Sequence, residues 1–472
     1  MPILAGTVFA AIALHGCLPS GDAVFETAAA LPEPATGSTS AGAPAKHKVC
    51  DCVVPPGQDA VPAADRRVAR APGGLRDAAL SALDYSSEIR GSRAAVAAAD
   101  AQVDQARSGY FPALDSNAGI GTDGEHDYEV TLSQPLYDWG RTAAKVGGAR
   151  AGRSAAQVEL SAQREQVMLD AASAYIEVAR AAELEKVAAD ELKAYRRIAN
   201  LARQRTEGGY GDATEATLAE VHVGEASSSL ADAQGKLRDA RSVFASRVGR
   251  GAGTLPPVPE LSTALKTALR LSDGAAGQNL SRRADQAPTV KAALARASEA
   301  DASAAAEEAQ LFPTLSAEAF VRGDDARDDL NKGIGLRVTS PTVQGLSNLR
   351  RVEAAKLAAE EATWKAETAR RDVLRQVQAF LDQEPTLRSR QSVLKEQRVN
   401  ARQLRDLYED QFKTGTRSLS DLVTVQSDLT RIESSLINVR FDLYDLQYKA
   451  AASLGMLGGL LEITPAADAG GM

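Results

Sequence analysis

Tyr110-Phe111-Pro112 returns as Leu311-Phe312-Pro313, and the same succession of elements follows each. At one constant offset Gln134-Pro135 falls on Ser340-Pro341, Thr206-Glu207-Gly208-Gly209 on Phe412-Lys413-Thr414-Gly415, and Val248-Gly249 on Leu454-Gly455. The chain is a tandem repeat of helix, two short alternating strands, a very long helix, a glycine-marked turn and a returning helix. The first copy covers residues 76–249, with a strand pair at about 113–135, a long helix over 138–206 and a return helix over 213–248. The second covers 287–455, with strands at about 314–340, a long helix over 345–413 and a return helix over 418–455. Residues 250–286 cross between the copies, and 456–472 form a C-terminal tail.

The length of the uninterrupted segments sets the architecture. No proline stands between Asp138 and Thr206, and beyond Gly152 no glycine appears before Gly208. Such a helix runs about 100 Å at 1.5 Å per residue. Its counterpart, Gly345 to Thr414, is interrupted only by Pro385, which is expected to kink or locally unwind it. Steps of seven along the second helix pass through Val352, Ala359, Ala366, Val373, Phe380, Leu387, Leu394, Ala401 and Tyr408. In the first copy the same steps give Val146, Arg153, Leu160, Val167, Ala174, Ala181, Ala188, Tyr195 and Ala202, with Arg153 the exception. A seven-residue apolar period held this long imposes left-handed supercoiling. The return helix Ala213 to Val248 and the helix at about Ala287 to Gln310 together nearly match one long helix. End to end they would line up beside it, with the Pro256-Pro257 and Pro259 segment crossing at mid-height.

The strands alternate with period two. Leu114, Ser116, Ala118 and Ile120 oppose Asp115, Asn117 and Gly119; Tyr128, Val130 and Leu132 oppose Asp127, Glu129 and Thr131. In the second copy Leu315, Ala317, Ala319 and Val321 oppose Ser316, Glu318 and Arg322, with Phe320 breaking the polar set, and Ile334, Leu336 and Val338 oppose Gly335, Arg337 and Thr339. Segments of about 9–11 residues with this alternation match tilted strands that cross a bilayer, one face on lipid and one on water. Four strands cannot close a barrel, and an open edge in hydrocarbon leaves backbone groups without hydrogen bonds. Oligomerisation follows, and a homotrimer supplying twelve strands is the economical closure. The fold class is mainly α with a small β part: a tandem repeat of long antiparallel helices forming a tall wall, plus four strands per chain toward a twelve-stranded β-barrel. A soluble coiled-coil scaffold carrying half-buried hairpins is the alternative from another class.

Composition removes other functions. Only 4% of the chain is aromatic, and a formal charge of −8 with acidic and basic residues interleaved speaks against nucleic acid as a partner. The four histidines, His15, His47, His126 and His222, are scattered, without nucleophile elbow, phosphate loop or zinc spacing, so neither enzyme activity nor a cofactor is expected. All three cysteines, Cys17, Cys50 and Cys52, precede the repeats, which leaves the fold without a disulfide framework. Residues 1–25 read as an export leader, and Cys17 is a candidate lipidation site set against an ordinary cleaved leader. Residues 26–75, rich in Ala, Pro and Gly, read as a flexible tether.

Three stretches carry a family resemblance. Ser133-Gln134-Pro135-Leu136-Tyr137-Asp138-Trp139-Gly140-Arg141 stands at the exit of the first strand pair, Ser340-Pro341-Thr342-Val343-Gln344-Gly345 at that of the second, and Thr414-Gly415-Thr416-Arg417-Ser418-Leu419-Ser420-Asp421-Leu422 at the last turn. In order and spacing over roughly residues 75 to 455 the chain resembles the TolC-like outer-membrane efflux and secretion proteins of Gram-negative bacteria. The resemblance implies a trimeric outer-membrane channel, a twelve-stranded β-barrel continuous with an α-barrel of the long helices that extends into the periplasm. Its implied partners are a periplasmic membrane-fusion adaptor, an inner-membrane ABC or proton-driven transporter, and outer-membrane lipid. Type I protein secretion is the leading role, and small-molecule efflux the alternative.

Mechanism is then expected at the turns far from the strands. Gly208, Gly209 and Gly415 suit helix ends, and Asp212 and Ser418 suit the N-caps that restart a helix. By resemblance, Arg417 and Phe412 take the Arg and aromatic positions of a periplasmic gate, Glu215 the partner acid and Asp421 the upper pore acid. Thr424 stands where a second pore Asp is usual, and Phe412 lacks a tyrosine hydroxyl, so the clasp is expected to be loose. Tyr137 and Trp139, with Pro135, Gly140, Pro341 and Gly345 around the strand exits, are expected at the membrane interface, with core packing of the two aromatics as the alternative.

Overall fold

The computed structural model describes residues 74–120, 126–269, 276–324, 329–340 and 347–463. The leader, nearly all of the tether, Cys17, Cys50, Cys52, Pro341 and Gly345 lie outside the described residues. The elements run α1 (Leu75–Tyr85), α2 (Ser87–Ser108), β1 (Ala113–Ile120), β2 (His126–Tyr137), α3 (Arg141–Glu207) and α4 (Ala213–Val248). After the crossover helices α5 (Ser262–Leu269) and α6 (Ala276–Gln286) come α7 (Pro288–Ala309), β3 (Thr314–Asp324), β4 (Asp329–Thr339), α8 (Ser347–Lys413), α9 (Leu419–Ser453) and α10 (Leu457–Leu460).

Helices α3 and α8 have 67 residues each. The shorter helices stack in a different pairing from the one expected. The left-handed Gly249 (φ +74°) ends α4 against Tyr85 of α1, whose Cγ would lie 2.5 Å from a Cβ at that glycine. In the second repeat Gly455 (φ +67°) follows α9 and meets Pro288, with 2.5 Å from a built Cβ to its Cδ. So α4 abuts the α1–α2 segment and α9 abuts α7, while α3 packs along α2, α4, α7 and α9, and α8 along α7 and α9. Each junction needs the close approach that only glycine allows.

The heptad seam is buried along almost all of α3: Val146, Leu160, Val167, Ala174, Ala181, Ala188, Tyr195 and Ala202 are all in the core. Arg153 pairs instead with Asp100 of α2 at 2.6 Å. In α8 the seam is buried from Val352 through Phe380, whereas Leu387, Leu394, Ala401 and Tyr408 are half-buried. The helix continues through Pro385 without a break, so local unwinding does not occur there.

The strands form one antiparallel sheet in the order β1-β2-β3-β4, which leaves β1 and β4 as edges. Register aligns Leu114, Leu132, Ala319 and Ile334 in one row across the sheet, and Ser116, Val130 and Val321 in the next. The opposite face carries charge pairs: Arg322 with Glu129 at 2.7 Å, and Arg337 with Glu318. Phe320 sits on this polar face because it covers Gly333, its cross-strand partner; a Cβ there would come 2.9 Å from the ring. Tyr128 covers Gly323 in the same way on the apolar face. Pro135, with no N–H to donate, coincides with a register shift between Pro135 and Tyr137.

The larger core cluster lies at the level of the crossover, where Tyr175 and Tyr448 donate their hydroxyls to the Pro256 and Pro259 carbonyls at 2.6 and 3.1 Å. Leu457, Leu461 and Ile463 of the C-terminal segment join this cluster. A second, smaller cluster contains Leu192, Tyr195, Ile198, Phe412, Leu419 and Leu422, next to the α3–α4 and α8–α9 turns.

Candidate functional site

The two turns share one backbone design. Gly209 (φ +78°) and Gly415 (φ +81°) both adopt the left-handed conformation. The Tyr210 N–H reaches back to the Arg205 carbonyl at 2.8 Å, and Thr416 N–H to that of Gln411 at 2.9 Å, closing equivalent helix ends. Asp212 caps α4 by accepting from Thr214 N–H, and Ser418 caps α9 by accepting from Asp421 N–H.

Within one chain, the side chains partner differently from the expected clasp. Arg417 stays on its own hairpin: its Nε donates to Gln411 Oε1 at 3.1 Å, its guanidinium lies over the Tyr408 ring at 4.5 Å, and Nη1 stands 3.9 Å from Asp421. Glu215 faces Arg205, with Oε2 3.8 Å from Nη1. Phe412 is fully buried, and the guanidinium above it at 4.4 Å is also that of Arg205. The expected Arg417–Glu215 contact is therefore not made inside one chain, since both turns carry an arginine and the helix packing brings Arg205 to the acid. Thr424 donates to the Ser420 carbonyl at 2.8 Å and is exposed, as an ordinary helical threonine. Arg205 went unnoticed in the sequence; its signal was an arginine in the last turn of α3, four residues before Gly209.

At the strand exits Trp139 has positive φ (56°) and leads into Gly140 (φ +81°). Its ring stacks on Phe312 at 5.1 Å and meets Tyr137 edge-on at 5.0 Å, while Nε1 donates to the Pro313 carbonyl at 2.9 Å. The Trp139 side chain thus ties the first repeat to the second at the Phe312-Pro313 motif. Asp138 accepts from the Gly140 and Thr142 N–H groups at 3.1 and 2.7 Å and starts α3. Burial raises its pKa, but the Thr142 and Gly140 donors and nearby Arg141 outweigh that and hold it below the usual range.

Among the described residues no His, Cys, Asp and Glu group is arranged to hold a metal, and no helix is long and apolar enough to cross a membrane. The family described as outer membrane efflux protein matches residues 79–249 and 279–455, which are the two repeats. The chain belongs to the outer membrane efflux protein family. This efflux-family chain is accordingly an outer-membrane protein and not an enzyme, which sets aside the soluble scaffold. It is 22% identical over 397 residues to outer membrane efflux protein BepC of Brucella suis, covering 81% of this chain and 85% of that one. It is 26% identical over 245 residues to protein CyaE of Bordetella pertussis, covering 50% of this chain and 51% of CyaE. Its fold matches the outer membrane protein VceC of Vibrio cholerae with a TM-score of 0.69 at 17% identity, over 81% of this chain and 96% of VceC.

Proposed function

We propose that three copies of this chain assemble into an outer-membrane exit channel that a periplasmic adaptor joins to an inner-membrane transporter, and that its principal cargo route is type I protein secretion. One observation carries the assembly: a four-stranded sheet whose apolar Leu114, Leu132, Ala319 and Ile334 row runs from edge to edge and ends at two free edges, β1 and β4. In lipid those edges require partners, and identical neighbours supply them head to tail. Twelve strands enclose a lumen lined by the Glu129, Arg322, Glu318 and Arg337 face. The half-buried seam of α8 beyond Pro385 supports the same closure, because a neighbouring protomer's helix would complete its burial.

Energy for transport comes from the transporter, and the chain contributes conduction and gating. The set Glu215, Phe412, Arg417 and Asp421 forms the periplasmic gate, with Asp421 repeated about the threefold axis to favour cations. The strand-exit and gate-tip stretches resemble secretion members and support secretion. The similarity to BepC, an outer membrane efflux protein, favours small-molecule efflux as the second reading. Deleting the gene separates the two: loss of one large secreted protein identifies secretion, and broad sensitivity to drugs and dyes identifies efflux. Purified particles that form no threefold rings in electron micrographs would refute the assembly.

A further inference from the structure

We propose that Arg205 is a positioning residue of the gate, the group that locks the first hairpin tip to the second within each protomer. The inference rests on the channel function above and adds a residue and a direction of movement to it.

The guanidinium of Arg205 touches both tips. On its own hairpin, Nη2 donates to the Tyr210 carbonyl at 3.1 Å and Nη1 faces Glu215 at 3.8 Å. On the other hairpin it lies over the buried ring of Phe412 at 4.4 Å, and a Cβ built on Gly415 would stand 3.7 Å from Nη2. Its side chain is only 16% exposed and that of Glu215 29%. Gly211 permits this packing, since a Cβ there would meet Arg205 Cβ at 3.2 Å. By contrast, Gln411, Tyr408 and Asp421 around Arg417 all belong to the second hairpin.

The chemistry assigns the roles. Phe412 has no hydroxyl to offer an acid, but the face of its ring attracts a cation, most strongly where water is excluded. The cation in turn holds the acid, so Glu215 is coupled to Phe412 through Arg205. Arg205 Nη1 and Glu215 Oε2 are both buried without a hydrogen bond and face each other. Each side chain therefore has reason to stay where its counter-charge is. Separating the hairpins leaves Tyr210 and Glu215 with Arg205 and breaks its contacts with Phe412 and Gly415. That is the step a transporter complex must drive to widen the entrance.

Single-channel recording of the full chain in planar bilayers tests this. Arg205→Gln should raise the ratio of conducting to closed dwell time on the order of tenfold. Arg205→Lys, which keeps the charge, should restore part of the closure. Phe412→Leu should mimic Arg205→Gln, Phe412→Tyr, which keeps the ring face and adds a hydroxyl, should hold the ratio at or below the wild-type value, and the Arg205→Gln/Phe412→Leu double variant should gate like either single one. Arg417→Ser should instead multiply with Arg205→Gln. If Arg205→Gln does not assemble, the Phe412→Leu and Phe412→Tyr pair decides alone. A conducting wild type whose dwell times are indifferent to these changes, or whose Arg205 and Phe412 effects multiply, overturns the inference and leaves the channel standing. A wild type that never conducts overturns the channel and the inference with it.

Discussion

Lys266 Nζ sits 2.9 Å from the carboxylate of Glu384, the residue immediately ahead of Pro385 in α8. Glu384 is 2% exposed and also accepts from the Ser262 hydroxyl at 3.1 Å and from Arg388. One carboxylate thus gathers donors from α8 and from the crossover helix α5, and fastens the crossover to the helical wall at the height of the proline.

Removing that carboxylate should loosen the crossover. Glu384→Ala is expected to cost about 1–3 kcal/mol, because Ser262 loses its partner while Lys266 and Arg388 can still reach water. Burial, the largest influence, raises the Glu384 pKa, but the Arg388, Lys266 and Ser262 donors together outweigh it and hold it below 4.5. Its contribution is therefore present above that value and fades as pH falls through the lowered pKa. Circular-dichroism melts should show a shallower acid limb for Glu384→Gln than for wild type; identical limbs would contradict this account.

Glu165 behaves with the opposite sign. Its carboxylate accepts from the Leu457 and Gly458 N–H groups at 3.0 and 3.3 Å and so anchors the C-terminal segment. Burial is the largest influence and, despite those donors, pushes its pKa from 4.5 up to about 7. The folded state then holds the proton more tightly than the unfolded chain, so this contribution is full below 4.5 and is lost as pH rises through about 7. Wild type should melt lower at pH 8 than at pH 5.5, and Glu165→Gln should remove much of that slope, with amide exchange at Leu457 and Gly458 following the same trend. A wild-type melting temperature that rises across this interval would count against it.

At the proposed gate, Arg417→Ser should raise conductance while changing stability by less than about 1 kcal/mol, since Arg417 and Asp421 are both more than two-fifths exposed. Asp421→Asn should lower cation selectivity in bilayer recordings under a salt gradient. An unaltered reversal potential would remove Asp421 from the pore.

On the sheet, Ile334 is 88% exposed in one chain and belongs to the apolar row with Leu114, Leu132 and Ala319. Ile334→Lys should cost about 2–4 kcal/mol if the row meets the middle of the bilayer. Reduced recovery in the outer-membrane fraction is the readout, and Asn331→Lys on the opposite, polar face of the same strand serves as the comparison. Equal recovery of both variants would place Ile334 outside the hydrocarbon.

Repetition, alternation and the heptad seam are properties of near neighbours along the chain, so they could be read before any contact was known. The long helices, the two strand pairs, the glycine turns and the caps at Asp212 and Ser418 all belong to this class. Which side chain meets which across the wall depends on how two distant hairpins are set against each other, and no local period encodes that. Only the tertiary structure decided that Arg205 rather than Arg417 faces Glu215 in a single chain, that α4 abuts α1–α2 and α9 abuts α7, that Phe320 covers Gly333, and that the C-terminal segment rests on Glu165. In each case several side chains of the right type lay within reach in the sequence, and the packing of the long helices and the strand register selected one.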